Sequence, residues 1–183
     1  MLKDLTLCVT PKMVKDAQGY EKKAFTGHLG THFDVMDNTF PLEYTEREAY
    51  FFDVRQRLSE EINVQDIDMS KVRENMFIGF YTGFSDEVPY GSKDYFSMHP
   101  QLSYELIDAL LSRRISIIGI DCAGIRRGKE HTPIDQKCAN QRCFIVENLI
   151  NLNEVCHKEI MVSTYPMNFT DMTGLPCRVI AKI

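Results

Sequence analysis

Two imidazoles and a carboxylate fall within the seven residues His28-Leu29-Gly30-Thr31-His32-Phe33-Asp34, in a chain with five histidines. Neutral imidazole nitrogens with a carboxylate oxygen form a donor set for a divalent cation, zinc first and manganese second. In an extended segment His32 and Asp34 project from the same face, because side chains alternate along a strand. His28 can join them if the chain turns at Gly30, which has no Cβ to obstruct a tight bend. A helical arrangement of the two histidines is disfavoured, since glycine and β-branched threonine are poor helix formers.

Other polar residues stand where a sheet would hold them rigidly. Asp121 ends Ile118-Gly119-Ile120-Asp121, Glu147 ends Phe144-Ile145-Val146-Glu147, and Asp86 follows the aromatic run 77–81. Strand ends are common positions for ligands and bases, although each of these can equally be a solvated strand terminus. His131 and Asp135 are four apart and share a face if a helix covers both, while Thr132 could instead cap that helix. His99, before Pro100, and His157, in a polar stretch, read as structural. Cys122 follows an apolar run, but a nucleophilic role would need an adjacent base.

The elements that must position these groups are those of a soluble α/β domain. A chain of 183 residues with 44% hydrophobic and 26% charged residues suits one globular domain spanning 1–183. The net charge of −5 and the lack of a basic run argue against a nucleic-acid partner. No apolar stretch approaches a membrane span, and the N-terminus lacks a signal-peptide pattern, so a cytoplasmic protein is expected. The six cysteines form no CxxC pair and read as reduced thiols, mostly in the core.

Short β-like runs are expected at Leu5 to Val9, Lys23 to His28, Glu48 to Val54 and Asn75 to Tyr81, followed by a turn-rich loop from Gly83 to Gly91. Ser103 is an N-cap for a helix whose apolar stripe is Leu102, Leu106, Ile107, Leu110 and Leu111. A buried strand follows at Ile115 to Ile120, then a helix near Pro133 to Gln141 and a strand at Cys143 to Val146. The last strands are expected at Ile160 to Ser163 and Arg178 to Ile183. Helices and strands interleave irregularly, as in an α/β domain without a regular βαβ repeat.

Taken together, these segments resemble the metal-dependent cyclase-like hydrolases, which include bacterial kynurenine formamidases and isatin hydrolases. The family motif His-x-Gly-Thr-His-x-Asp is matched by His28, Gly30, Thr31, His32 and Asp34. Weaker matches are Asp4-Leu5-Thr6, Thr82-Gly83-Phe84-Ser85-Asp86, His99-Pro100-Gln101-Leu102-Ser103, Ile118-Gly119-Ile120-Asp121, Val146-Glu147-Asn148-Leu149 and Gly174-Leu175-Pro176-Cys177-Arg178-Val179. The resemblance implies a swivelling β/β/α fold with a mixed sheet and flanking helices, assembled as a homodimer or homotetramer. It also implies one or two divalent ions that activate water to hydrolyse an amide or lactam in a small-molecule substrate. His28, His32, Asp34 and Glu147 would be the metal ligands.

Two departures bear on the reaction. The family motif usually continues as x-Pro-x-His, whose histidine transfers protons, whereas here the continuation is Val35-Met36-Asp37-Asn38. Asn38 can orient a carbonyl or water but does not titrate near neutral pH. Formamidases also carry a histidine about three helical turns before the glutamate, where this chain has Asp135. Asp37, His131 and Asp135 are therefore the candidates for the proton shuttle, and Asn38 stands in the place of the lost histidine. The leading reading is a metal-dependent hydrolase of a small-molecule C–N bond. Its alternative is a metal-containing binding or sensor protein that has lost its proton-transfer group.

Overall fold

A computed structural model describes residues 1–18, 27–57 and 61–183. Its centre is a set of parallel strands whose sequences are apolar on both faces. β3 (Glu46–Asp53), β5 (Phe77–Tyr81), β7 (Ile117–Ile120) and β8 (Phe144–Glu147) lie side by side, β3 against β5, β5 against β7 and β7 against β8. Near-continuous Val, Ile and Phe runs are what strands buried on both sides require. β2 (His32–Asp34) adds antiparallel to β8. β9 (Glu159–Pro166) runs antiparallel to β3, and β10 (Gly174–Lys182) pairs with both β9 and β2. The pairing returns to its start, so the sheet closes into a barrel-like core; β1 (Leu2–Asp4) lies on β10, outside this ring. A small parallel pair, β4 (Glu61–Ile62) with β6 (Gln101–Leu102), lies apart.

Strand alternation divides the apolar side chains between two cores. Phe33, Phe51, Phe77, Phe144, Val146 and Val179 pack together in a cluster supplied mainly by strands. Ile78, Phe80, Ile118, Ile120 and Ile145 point the other way, against α4 (Tyr104–Ser112) and α5 (His131–Asn140). Ser103 caps α4 by accepting a hydrogen bond from Leu106 N, and the expected stripe is buried at Leu106, Ile107, Leu110 and Leu111. Three shorter helices are α1 (Pro11–Ala17), α2 (Phe84–Glu87) and α3 (Lys93–Ser97). No described helix is long and apolar enough to cross a membrane.

The mixed α/β architecture matches the sequence expectation, with local corrections. The first strand is Leu2–Asp4 instead of Leu5 to Val9; within the latter run only Thr6 makes an isolated bridge, to Leu149. α1 was not anticipated, although Thr10 caps it and Pro11 opens it, a standard helix start. The 83–91 stretch contains α2 as well as turns. α5 begins at His131, two residues before Pro133, so Thr132 lies inside the helix and does not cap it. The strand expected at Lys23 to His28 falls almost wholly outside the described residues.

His99 is 1% exposed, its Nδ1 donating to Pro100 O at 2.9 Å. Burial is the main reason its imidazole is pushed down to about 4. An unfolded chain takes up this proton near pH 6.5, whereas the native protein resists it until about pH 4. The unfolded state therefore binds more protons in that window, and stability is lost as pH falls through it. His99→Gln is expected to flatten the wild-type decline between pH 6.5 and 4 by about 3 kcal/mol, read from urea unfolding at several pH values.

Candidate metal centre

The site forms where β2 pairs with β8. Antiparallel register places His32 directly opposite Glu147, and Phe33 opposite Val146. Phe33 and Val146 enter the strand-lined core, so His32, Asp34 and Glu147 must emerge together on the other face. His32 and Asp34 are each 2% exposed and Glu147 is 4% exposed. Gly30, at φ +72°, turns the preceding chain back; a Cβ there would lie 2.5 Å from the Val9 side chain. The turn brings His28 Nδ1 to 3.0 Å from both His32 Nε2 and Asp34 Oδ1. His32 Nε2 is 3.7 Å from that same oxygen, completing a triangle of donor atoms.

The His32 tautomer follows from its outer partner. His32 Nδ1 lies 2.9 Å from Gly30 O, which can only accept, so Nδ1 carries the hydrogen and Nε2 presents a lone pair. His28 Nε2 is 2.9 Å from Thr173 Oγ1, a hydroxyl that can donate or accept, so either ring nitrogen of His28 can carry the hydrogen. Neither buried oxygen of Asp34 has a hydrogen bond of acceptable geometry, despite the close approach of His28. Three donor atoms thus converge, and the two buried Asp34 oxygens are left without a hydrogen bond. Tetrahedral donors about 2.0–2.1 Å from zinc stand about 3.3 Å apart, within the observed 3.0–3.7 Å edges. The residues present fit a divalent cation.

A second group of donors adjoins the first. His131 and Asp135, on successive turns of α5, bring Nε2 and Oδ2 to 3.2 Å. His131 Nε2 is also 3.6 Å from Glu147 Oε1, while Glu147 Oε2 is 3.6 Å from His32 Nε2. Glu147 therefore joins the two histidines. Asp34, His131 and Asp135 supply donor atoms that all lie within 4.8 Å of one another. Burial opposes charge on Asp34, while the adjoining His32 and His28 rings, in their protonated form, outweigh it and hold that carboxyl below the usual range. Burial and then the Asp34 charge push the Asp135 carboxyl well up.

The structure thus brings together His28, His32, Asp34, His131, Asp135 and Glu147 from the sequence candidates. Asp37 and Asn38 lie outside this cluster. Asp37 is exposed and accepts from Gln136 Nε2 at 2.6 Å and Asn38 Nδ2 at 3.1 Å. Asp121 is buried instead of forming a solvated strand end; it accepts from Thr82 Oγ1 at 2.6 Å and Gly83 N at 2.8 Å, tying the end of β7 to that of β5. Burial lifts its carboxyl to about 6. Asp86 accepts from Tyr81 OH at 2.5 Å. The Cys122 thiol is buried, lies 3.5 Å from Gly124 O and 3.6 Å from His99 Nδ1, and is pushed well up by burial and then by Asp121.

Sequence reading missed the groups that hold the ligands. Asn148, in the left-handed conformation at φ 59°, donates from Nδ2 to Gly30 O at 2.9 Å and accepts from Tyr95 OH at 2.9 Å. Its carbonyl accepts from Thr31 Oγ1 at 2.8 Å, and Tyr90 OH accepts from Gly30 N at 2.9 Å. The Gly30 carbonyl that fixes the His32 tautomer is thereby itself fixed from β8. Gly124, at φ +110°, passes so close to the ligands that a Cβ would lie 2.6 Å from the His131 ring and 3.0 Å from Glu147 Oε1. Asn148 belongs to the Val146-Glu147-Asn148-Leu149 match, but that match does not indicate this task.

Fold and site together define a closed mixed-sheet α/β domain with a buried His–carboxylate centre suited to a divalent cation. The Cyclase family model matches residues 3–126, and the chain belongs to that family. A solved structure described as a potential metal-dependent hydrolase with cyclase activity is 21% identical, covering 99% of this chain and 98% of its own, with a TM-score of 0.75. Isatin hydrolase A from Labrenzia aggregata is 18% identical over 99% and 93% of the two chains, TM-score 0.76. Isatin hydrolase A from Ralstonia solanacearum is 16% identical over 99% and 91%, TM-score 0.78. These likenesses establish the shared fold. No curated protein sequence matches the chain.

Asn148→Asp keeps the size and left-handed tolerance of asparagine but sets an acceptor against the Gly30 carbonyl. It is expected to weaken zinc affinity about 10- to 100-fold, measured by competition with a chromogenic chelator, with the fold retained by circular dichroism.

Proposed function

We propose that this protein is a metal-dependent hydrolase that cleaves a C–N bond in a small amide or lactam. The observation that carries this reading is the convergence of His28 Nδ1, His32 Nε2 and Asp34 Oδ1 beside Glu147. These four residues would hold the cation, with zinc favoured by the two imidazoles and manganese second. A divalent cation bound there supplies Lewis acidity, polarising a carbonyl and bringing the ionisation of water towards neutrality.

The remaining tasks fall to the chain's own side chains. Asn38 replaces the family's proton-transfer histidine, and His131 is the group we assign in its stead. Its Nδ1 lies 3.1 Å from Arg126 O, a pure acceptor, so the free position is Nε2, facing Asp135 and Glu147. The His131 side chain is 30% exposed, against 1% for Asp135, so it can exchange a proton with solvent while Asp135 orients it. Asp37 is engaged with Gln136 and Asn38, which favours a role at the site entrance over one at the reacting atoms.

The test is elemental analysis of the purified protein, then hydrolysis assays of the same sample on N-formylkynurenine, isatin and simple lactams. His32→Ala is expected to lose both metal and activity. His131→Gln is expected to keep the metal and lower kcat by about 10²–10⁴. Full hydrolytic activity in metal-free protein would overturn the reading. Bound metal with tight small-molecule binding but no turnover across the panel would favour the sensor alternative, for which Asn38 is the supporting feature.

A further inference from the structure

His28 is held differently from the other three candidate ligands. His32 and Asp34 belong to β2 and Glu147 ends β8, so strand register places them. His28 precedes β2, outside any regular element, and its side chain is 25% exposed against 1–5% for the others. Its support comes from β10, on the edge of β2 away from β8. Gly174 lies opposite Asp34, and a Cβ on Gly27, at φ +82°, would lie 1.9 Å from Gly174 O. The chain can approach this closely only as bare backbone. That approach delivers His28 to Thr173, whose Oγ1 is 2.9 Å from His28 Nε2.

Thr173 is itself fixed by the segment that follows Asp34. Its carbonyl accepts from Val35 N at 2.9 Å and from Met36 N at 3.1 Å. The second bond comes with an uncommon backbone, since Met36 sits in the left-handed region at φ 56°. Proline, which the family pattern places here, could take no part in it. Its ring holds φ near about −65°, and it has no N–H to donate. Met36 therefore adds a bond that ties Thr173 to the end of β2. The connections form a closed circuit: Asp34 leads through the Val35 and Met36 amides to Thr173, and Thr173 Oγ1 meets His28. From there His28 Nδ1 returns to within 3.0 Å of Asp34 Oδ1.

Resting on the reading of this centre as a divalent-cation site, we infer that Thr173 is the positioning residue for His28, and that Met36, in the place of proline, fixes Thr173. For His28 to offer the Nδ1 lone pair, the ring hydrogen must sit on Nε2, and Thr173 Oγ1 is placed to accept it. That bond aims the ring at His32 and Asp34 and reduces what must be ordered on binding.

Thr173 is exposed, so Thr173→Val removes the hydroxyl, keeps the branched shape and leaves the core untouched. Zinc affinity, measured by competition with a chromogenic chelator, is expected to fall about tenfold in Thr173→Val and to stay within about threefold of wild type in Thr173→Ser. Urea unfolding of the zinc-free proteins is expected to be the same for all three. In a His28→Ala background Thr173→Val is expected to change nothing further, because the hydroxyl acts through that ring. Met36→Pro is expected to weaken zinc binding as Thr173→Val does, whereas Met36→Gly, which takes a positive φ freely and keeps its N–H, is expected to bind like the wild type. Slow hydrogen exchange of the Met36 amide in the wild type reports the same bond without any substitution. Undiminished zinc affinity in Thr173→Val, or an equal loss with and without His28, overturns the inference and leaves the metal-centre reading standing. Fast exchange at Met36, or tight zinc binding by Met36→Pro, overturns the part assigned to Met36. No zinc binding by the wild type overturns the metal-centre reading and the inference with it.

Discussion

The antiparallel pairing of β2 with β8 is the constraint on which the centre depends. It sets His32 opposite Glu147 and Phe33 opposite Val146, so one registration divides ligands from core. Because side chains alternate with period two, a slip of one residue would turn His32 and Asp34 into the apolar interior and Phe33 out of it. The cost of burying imidazole and carboxylate among Phe51, Phe77 and Phe144 makes such a slip prohibitive. The apolar residues between the ligands therefore place them as surely as the ligands' own chemistry does.

A centre built from buried carboxylates carries an electrostatic demand that shapes its surroundings. Asp34, Asp135 and Glu147 are each at most 4% exposed, and the neighbouring positive or potentially positive groups are histidines. Low polarity around the site magnifies both repulsion among these carboxylates and attraction to a cation. The hydrogen bonds that Asn148, Thr31, Tyr90 and Tyr95 make around Gly30 go to backbone groups or to one another. They hold the ligand loop in place before anything binds, and so reduce what must be reorganised on binding.

The departures from the family pattern concern proton transfer, and they lie on opposite sides of the site. Asn38 and Asp37 lie in the segment after β2, whereas His131 and Asp135 enter from α5. His131 delivers its Nε2 to Glu147 from the same helix face as Asp135, because residues four apart share a face.

The ligand cluster was legible in the sequence because its members are neighbours there: alternation joins His32 to Asp34, and Gly30 supplies the turn that returns His28. The continuous apolar runs of β5, β7 and β8 and the stripe of α4 were likewise local signals, and they gave the α/β class. Strand ends were less informative, since Asp121 and Glu147 end similar runs yet one ties two strands together and the other enters the centre. Whether His131 and Asp135 reach Glu147 depended on where α5 starts and how it lies on the sheet. Asn148, Gly124 and Thr173 were invisible for the same reason, as each acts on residues 7 to 145 positions away. Sequence determined which groups could bind a cation, because donor chemistry and short-range geometry are written locally. Only the tertiary structure decided which of them meet, because strand register and helix docking are set by the packing of the whole core.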